Sequence, residues 1–355
     1  MLRVCAMFIV VTVAAVHVWA APLVPNDPYY AAYEWYGPVL NLPAAWGYSL
    51  GSASVVVAVL DSGVMSNTPD LAGRVMRPMA PPGLPVMDGS LVRHGTWVAS
   101  TLAMGVNNGI GGAGVGNFTI LPVVVNDQNG YTTASWISKG IRMAADAGAR
   151  VINVSQIITD YATLDEAAAY ARSKGALTFI CAGNANARNP MTGYENLIFV
   201  AGTMLTSDPV PVEQRWDEGP GLPGSTWGPF VDLSAPAHKI VVADPTFGSG
   251  YGQGSGTSFA APFAAGAAAL AWSINPTLSA DEVLALLEQT AVDLGERGWD
   301  EVFGHGRIDI GAVAAGAYAA LPEPATAGLL AAGVALAAVR RLRRSAARRA
   351  ARPRA

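Results

Sequence analysis

Charge is what this 355-residue chain has least of. Asp, Glu, Lys and Arg together make up 14% of it, about half the share usual in a soluble domain. A chain so poor in charge and 51% hydrophobic is neither disordered nor a coiled coil, both of which need far more charge. Cysteine is equally scarce. Cys5 and Cys181 are the two present, so no disulfide framework holds the chain. The 39 glycines show no three-residue period, which excludes collagen. No internal repeat and no long linker occurs before Leu321. Basic residues are few away from the ends. Between residues 4 and 321 there are 13 Lys and Arg against 25 Asp and Glu, a formal net charge of −12. Such a body repels phosphates, and no nucleic-acid partner is expected.

The two ends read as segments outside the fold. Residues 1–20 carry Arg3, an apolar run over 4–16, and Val18 and Ala20 flanking a cleavage point after Ala20. This is the pattern of a secretory signal peptide, the alternative being a buried first strand or helix. Its removal takes Cys5 away and leaves Cys181 alone in an apolar run, where a buried, inert thiol is expected. At the other end Leu321-Pro322-Glu323-Pro324 leads into fifteen uncharged residues, 325–339, and then Arg340-Arg341-Leu342-Arg343-Arg344. Fifteen helical residues span about 22 Å, short of a hydrocarbon core of about 30 Å. The arginines assign the end of the tail to the cytoplasm. The order Pro-Glu-Pro, apolar span, basic cluster resembles the PEP-CTERM sorting tail of Gram-negative-type bacteria. That resemblance implies transient membrane contact, cutting by an exosortase-type enzyme, and a protein that reaches the cell surface or is secreted via the inner membrane. An ordinary short anchor is the alternative. The domains expected are therefore 1–20, 21–321 and 322–355.

Within 21–321, apolar runs alternate with amphipathic segments. Strands are expected over 54–60, 120–125, 150–154, 176–182 and 197–201. Several are continuous and β-branched, as in strands buried on both faces. Helices are expected over 136–147, 164–173, 258–272 and 281–289, the last capped by Ser279. Alternation of this kind predicts an α/β fold with a parallel sheet between helices. Ligands then bind at the carboxyl ends of the strands.

Four segments sit where such a sheet puts a site. Val57-Ala58-Val59-Leu60-Asp61 ends a strand on a carboxylate, and Ala182-Gly183-Asn184 ends one on an amide. His94-Gly95-Thr96 and Gly256-Thr257-Ser258-Phe259-Ala260-Ala261-Pro262 place an imidazole and a hydroxyl at helix starts. A serine hydroxyl is a weak nucleophile that needs an adjacent base. A histidine serves if a carboxylate fixes its tautomer, and an oxyanion then needs donors. Alone each segment is weak. Together, in the order Asp, His, Ser, they resemble the subtilisin-like serine proteases. The resemblance runs from about Pro25 to Ala320. Pro25-Asn26-Asp27-Pro28-Tyr29 and Pro43-Ala44-Ala45-Trp46 are similar to the start of thermitase-like members, and Gly304-His305-Gly306-Arg307-Ile308-Asp309 to the closing segment. It implies a subtilisin-like three-layer α/β fold with a mostly parallel sheet flanked by helices. It also implies an exported serine endopeptidase acting on protein or peptide substrates through an acyl-enzyme. Asp61 would orient, His94 act as base, Ser258 as nucleophile and Asn184 as oxyanion donor. His238 and His305 lack such surroundings and read as structural or exposed.

The resemblance further implies a structural calcium ion. Its ligands would be Asp27, Asp70, the Asn108 side chain and the carbonyls of Val106, Ile110 and Gly112, an all-oxygen set suited to a hard cation. The alternative is a plain surface loop, since Asn-Asn-Gly favours turns. Three positions depart from the family. Ile157 stands where Gly is usual in the segment that pairs with substrate, Trp97 where a second His is common, and Ala237 where Gly is usual. Few residues separate Ala20 from the body, so the usual inhibitory propeptide is not expected. Ile157 keeps open a narrowly selective enzyme, and a surface binding protein on an impaired protease scaffold is the reading from a different class.

Overall fold

A computed structural model describes residues 21–321 apart from Ser90. The expected signal peptide, 1–20, and the tail, 322–355 with its span 325–339, lie outside the described residues. Helices α1 (Pro28–Tyr33), α2 (Tyr36–Val39) and α3 (Leu42–Tyr48) precede β1 (Val56–Asp61). Then come α4 (His94–Ala103), β2 (Thr119–Val124), α5 (Ala134–Asp146), β3 (Val151–Val154), α6 (Tyr161–Ser173), β4 (Leu177–Cys181) and β5 (Leu197–Leu205). The last part carries β6 (Glu213–Arg215), β7 (Leu233–Pro236), β8 (Ile240–Ala243), β9 (Tyr251–Gly254), α7 (Thr257–Ile274), α8 (Ala280–Gln289) and α9 (Ile310–Ala319).

The sheet runs β2-β1-β3-β4-β5, with β7 parallel and β6 antiparallel to β5. β1 pairs in parallel with both β2 and β3, and the register sets Asp61 beside Val124 and Leu60 beside Val154. Side chains alternate between the faces of a strand, and the cores divide accordingly. Val57 and Val59 pack with Val98 of α4 and Phe263 of α7. Ala58 and Leu60 pack with Ile137 of α5 and Leu164 of α6. Burial on both faces is why these strands read as unbroken apolar runs. This is the expected subtilisin-like three-layer arrangement. Strand order reverses between β1 and β3, and in such sheets the crevice at that switch point receives ligands.

The boundaries shift for local reasons. The strand expected from residue 54 starts at Val56, because the Val55 N–H closes a turn on the Ser52 carbonyl at 3.0 Å. α6 begins at Tyr161 rather than 164, since the Asp160 side chain accepts the Thr163 N–H and caps it. Ser279 caps α8 as expected, in a reciprocal capping box with Glu282. β5 runs on to Leu205 because β6 folds back on Thr203–Leu205. Helix α7 is long and apolar enough to cross a membrane, and 89% of it is buried inside the body. A helix apolar all round belongs in a core, and α7 packs against α4 and under β3, β4, β5 and β7.

Candidate active site

Asp61 is the last residue of β1 and is 0% exposed. A buried carboxylate must be matched by donors, and Asp61 has three. The Ser62 N–H donates to Oδ1 at 2.8 Å, His94 Nδ1 lies 2.9 Å from Oδ2 and 3.1 Å from Oδ1, and Gln156 Nε2 donates to Oδ2 at 3.1 Å. His94 opens α4. Its approach depends on Gly95, where a Cβ would strike the Gly63 carbonyl and the Asp61 side chain. The Ser62 hydroxyl ties the two segments, donating to the Val92 carbonyl at 2.5 Å and accepting the Gly95 N–H at 3.1 Å. A carboxylate can only accept, so Nδ1 carries the imidazole proton and Nε2 is left as a base. Burial pushes the His94 pKa down, but the charge of Asp61 and its hydrogen bond outweigh that and leave it above the ordinary histidine value.

Ser258 is the second residue of α7 and is 7% exposed. The next residue, Phe259, has its ring 6.3 Å from the His94 ring, so α7 begins opposite the imidazole. Ser258 Oγ lies 3.5 Å from the Ser155 carbonyl. Pro262 lies inside the helix, where it has no N–H to give the carbonyl four residues back, which is that of Ser258. The Ser155 hydroxyl takes that role, donating to the Ser258 carbonyl at 2.8 Å while accepting from Asn153 Nδ2 at 2.9 Å. The serine backbone is thus held by the segment after β3.

Asn184 follows β4. Its Oδ1 accepts the Thr257 N–H at 2.9 Å and the Thr257 hydroxyl at 2.7 Å. Two donors on the oxygen fix the amide, so Nδ2 faces away from Thr257. A Cβ on Gly256 would lie 3.4 Å from Nδ2, and Gly256 has a φ of +151°, a conformation open to glycine. Asp61 and His94 are therefore joined directly, Ser258 and Asn184 are joined through Thr257, and the two pairs meet at the His94–Phe259 contact.

A cavity of about 740 Å³ opens beside Asn184, with Ile157, Ile158, Tyr161, Met191 and Tyr194 among its walls. Ile157 is 54% exposed there. Arg188 also lines it, but its guanidinium is held by Glu301 through two bonds of 2.6 and 2.7 Å. Elsewhere Cys181 is fully buried, and burial pushes its thiol up to about 12, so it is inert at neutral pH. His238 contacts Glu218 and Ser255, and His305 is exposed. Trp97 stacks on Phe247 and donates from Nε1 to Asp244 at 2.8 Å. Ala237 is buried, takes no positive φ, and accepts the Gly256 N–H at 2.8 Å. Ser155, Gln156 and Thr257, which hold the site together, carried no role in the sequence reading. The signal available was their position, within two residues of a strand end or next to Ser258.

Of the residues expected to hold calcium, Asp27, Asp70 and Asn108 come together. Asp27 accepts the N–H groups of Asn107, Asn108 and Gly109 at 2.7–3.0 Å. Asp70 accepts the Gly105 N–H at 3.0 Å, Asn108 Nδ2 at 2.8 Å and the Tyr251 hydroxyl at 3.2 Å. Burial raises the Asp70 pKa, and the Arg74 guanidinium contacts its main-chain carbonyl. Glu34, pushed up to about 8 by burial and by the charges of Asp27 and Asp70, accepts the Ala113 N–H at 2.9 Å from the inner side of the loop. Among the described residues no three His, Cys, Asp or Glu side chains cluster as metal ligands. A cation here would rest on two carboxylates and main-chain carbonyls, which fits a hard ion. The Asn108 amide would have to turn over, since its Oδ1 accepts the Ile110 N–H at 3.0 Å.

Comparison with known proteins places this geometry in a family. The model of the subtilase family of peptidases matches residues 52–306. Thermitase of Thermoactinomyces vulgaris is 37% identical over 277 residues, covering 75% of this chain and 91% of thermitase. Subtilisin Savinase of Lederbergia lenta is 32% identical over 274 residues, 76% of this chain and 94% of that one. Among solved structures, a protease from Pseudoalteromonas arctica superposes with a TM-score of 0.66 at 28% identity, covering 83% of this chain and all of that one. The match takes in the strand ending at Asp61, the helix starting at His94 and the helix that carries Ser258 as its second residue alike, and the chain accordingly belongs to the subtilase family and is a serine endopeptidase.

Proposed function

We propose that this endopeptidase works through Asp61, His94 and Ser258, with Asn184 stabilising the oxyanion. The observation that carries the reading is the 2.9 Å contact of His94 Nδ1 with the buried Asp61, which leaves Nε2 basic opposite the start of α7. His94 Nε2 takes the Ser258 hydroxyl proton as Oγ bonds to the scissile carbonyl carbon. The resulting oxyanion is received by Asn184 Nδ2 and by the Ser258 N–H at the positive end of the α7 dipole. The imidazolium returns the proton to the leaving amine, the C–N bond breaks, and water attacks the acyl-enzyme with the same histidine as base. Asp61 orients the imidazole and stabilises its charged form. The apolar cavity beside Asn184 receives a large uncharged side chain of a protein or peptide substrate, with Ile157 narrowing its mouth.

The relatives support export: a halolysin-like protease of Natrialba magadii, 33% identical over 299 residues, is named as extracellular. On this reading residues 1–20 direct export, 21–321 form the peptidase body, and 322–355 are the sorting tail cut by an exosortase-type enzyme at the inner membrane. The mature body is then released or displayed at the surface of a Gram-negative-type cell. Calcium held by Asp27, Asp70, Asn108 and the carbonyls of Val106, Ile110 and Gly112 would supply stability and no chemistry.

The test is reaction of the purified body with a serine-directed fluorophosphonate, alongside a peptide-library digest. Wild type should label on Ser258 and digest peptides, and Ser258→Ala should do neither while melting normally. Undiminished hydrolysis by Ser258→Ala would remove the mechanism. A wild type that binds peptides without labelling would favour the impaired scaffold instead.

A further inference from the structure

Asp61 has a third donor that the triad does not require. Gln156 Nε2 reaches Oδ2 at 3.1 Å, the same oxygen that lies 2.9 Å from His94 Nδ1. Gln156 Oε1 accepts in turn from Asn126 Nδ2 at 3.2 Å, and the same nitrogen donates to the Gly130 carbonyl at 2.9 Å. The chain of bonds fixes every amide. A carboxylate requires nitrogen from Gln156, so its oxygen faces Asn126, and two acceptors then require nitrogen from Asn126. Asn126 is 3% exposed.

The 126–131 loop is itself tightly knit. The Asp127 N–H donates to the Tyr131 carbonyl at 2.8 Å, and Asp127 Oδ1 accepts the N–H groups of Asn129 and Tyr131, each at 2.9 Å. Gly130 lies against Val92, two residues before His94, with a Cβ built there 3.8 Å from the valine side chain. The Val92 carbonyl is the one that Ser62 grips at 2.5 Å. A ring therefore closes: Asp61, Gln156, Asn126, Gly130, Val92, His94 and back to Asp61. It spans the crevice between β1 and β3.

We infer that Gln156, with Asn126 behind it, is a positioning residue of the catalytic carboxylate: the amide relay holds Asp61 Oδ2 for His94 and takes a share of its negative charge. This deepens the proposed mechanism and rests on it. The ionised group facing the His94 ring is Asp61, from β1. Arg93, beside it, is engaged by Asp244 at 3.5 Å and by the Thr246 hydroxyl at 2.6 Å. The α7 neighbours Ser258 and Phe259 are neutral, and Asp127 is occupied within its loop. Removing the Gln156 donor concentrates the carboxylate charge on the imidazolium and raises the His94 pKa, while the looser carboxylate orients the ring less well.

The test compares Gln156→Met, an apolar side chain of similar length, with Gln156→Glu, which puts a second carboxylate beside Asp61. Gln156→Met should lower kcat roughly three- to tenfold with KM little changed, and move the acid limb of kcat/KM up by about 0.5 pH unit. Gln156→Glu should move that limb further, by about one unit. The low-field resonance of the His94 Nδ1 proton should shift in both variants while they remain folded, with at most a modest loss of melting temperature. Asn126→Ala should act in the direction of Gln156→Met and more weakly. Wild-type limbs and resonances in folded Met and Glu variants would overturn the relay, and an inert Asn126→Ala beside a responsive Gln156→Met would remove Asn126 from it. If wild type neither labels with fluorophosphonate nor cleaves peptides, the mechanism fails, and the His94 resonance still decides whether Gln156 acts on Asp61.

Discussion

Ser155→Ala should destabilise the protein, and Pro262→Ala should repair part of the damage. Ser155 Oγ donates to the Ser258 carbonyl at 2.8 Å and accepts from Asn153 Nδ2 at 2.9 Å, and Ser155, Asn153 and Ser258 are at most 7% exposed. Alanine at 155 orphans two buried polar groups, each costing about 1–3 kcal/mol. Some relaxation is expected, so the loss is about 2–4 kcal/mol, or roughly 3–6 °C in melting temperature for a body of this size. Pro262→Ala restores a helical N–H that can reach the Ser258 carbonyl. Alone it should be near neutral, within about 1 kcal/mol, since Ser155 already serves that carbonyl. In the double variant one orphaned group regains a partner. The cycle should then show a favourable coupling of about 1–2 kcal/mol, with the Asn153 share unrecovered. The assay is thermal and denaturant melting of the four proteins in a Ser258→Ala background, which prevents self-digestion and leaves the carbonyl in place. Strict additivity would refute the view that proline frees this carbonyl and Ser155 captures it.

Asn184→Ala should lower kcat by about 10²–10³ with KM little changed, a size known for the matching donor of subtilisin itself; steady-state kinetics showing less than a tenfold loss would count against the assignment. Because the Asp61 charge leaves the His94 pKa above the ordinary histidine value, kcat/KM should fall on the acid side from a midpoint above about 6.5. The sign for stability is opposite: the ion pair contributes fully below the unfolded histidine pKa and is lost as pH rises through the folded one. A midpoint below the ordinary value would contradict the shift. Excess chelator should lower the melting temperature of calcium-loaded protein with little effect on initial rates, by mass action of about 2.7 kcal/mol at a hundredfold excess of ion over its dissociation constant; an unchanged melt means an empty loop. Alanines at Pro322-Glu323-Pro324 should leave uncut precursor in the inner-membrane fraction, and surface-recovered protein still continuous with residues 340–355 would make the tail a permanent anchor.

The parallel sheet was legible because strands buried on both faces are mostly apolar, and β1, β3 and β4 each carry no more than one polar residue, Asp61, Asn153 and Thr178. The four segments proposed to carry the chemistry stood out by their places at strand ends and helix starts, and only their order together gave them a meaning. What escaped was what joins them. The Ser155–Ser258 bond spans 103 residues and the Gln156–Asp61 bond 95, and periodicity carries no information at that range. β9 was illegible for another reason. Tyr251-Gly252-Gln253-Gly254 has little strand propensity and is held by pairing with β8. The short helices α1 to α3 were missed because α1 and α2 have six and four residues, too few for a repeating pattern.

Helix α7 has a consequence for the order in which the protein becomes itself. A chain synthesised from its N-terminus presents Asp61 and His94 early, and the helix carrying Ser258 only after most of the body has emerged. That helix fills the space under β3, β4, β5 and β7 and braces α4. Until it docks, the sheet face at β3, β4, β5 and β7 lacks its main cover and the Ser155 hydroxyl has no carbonyl to hold. The proposed nucleophile thus sits on the helix that completes its layer. On the proposed mechanism an unfinished or stalled chain has no nucleophile, and proteolytic competence arrives together with the closed core.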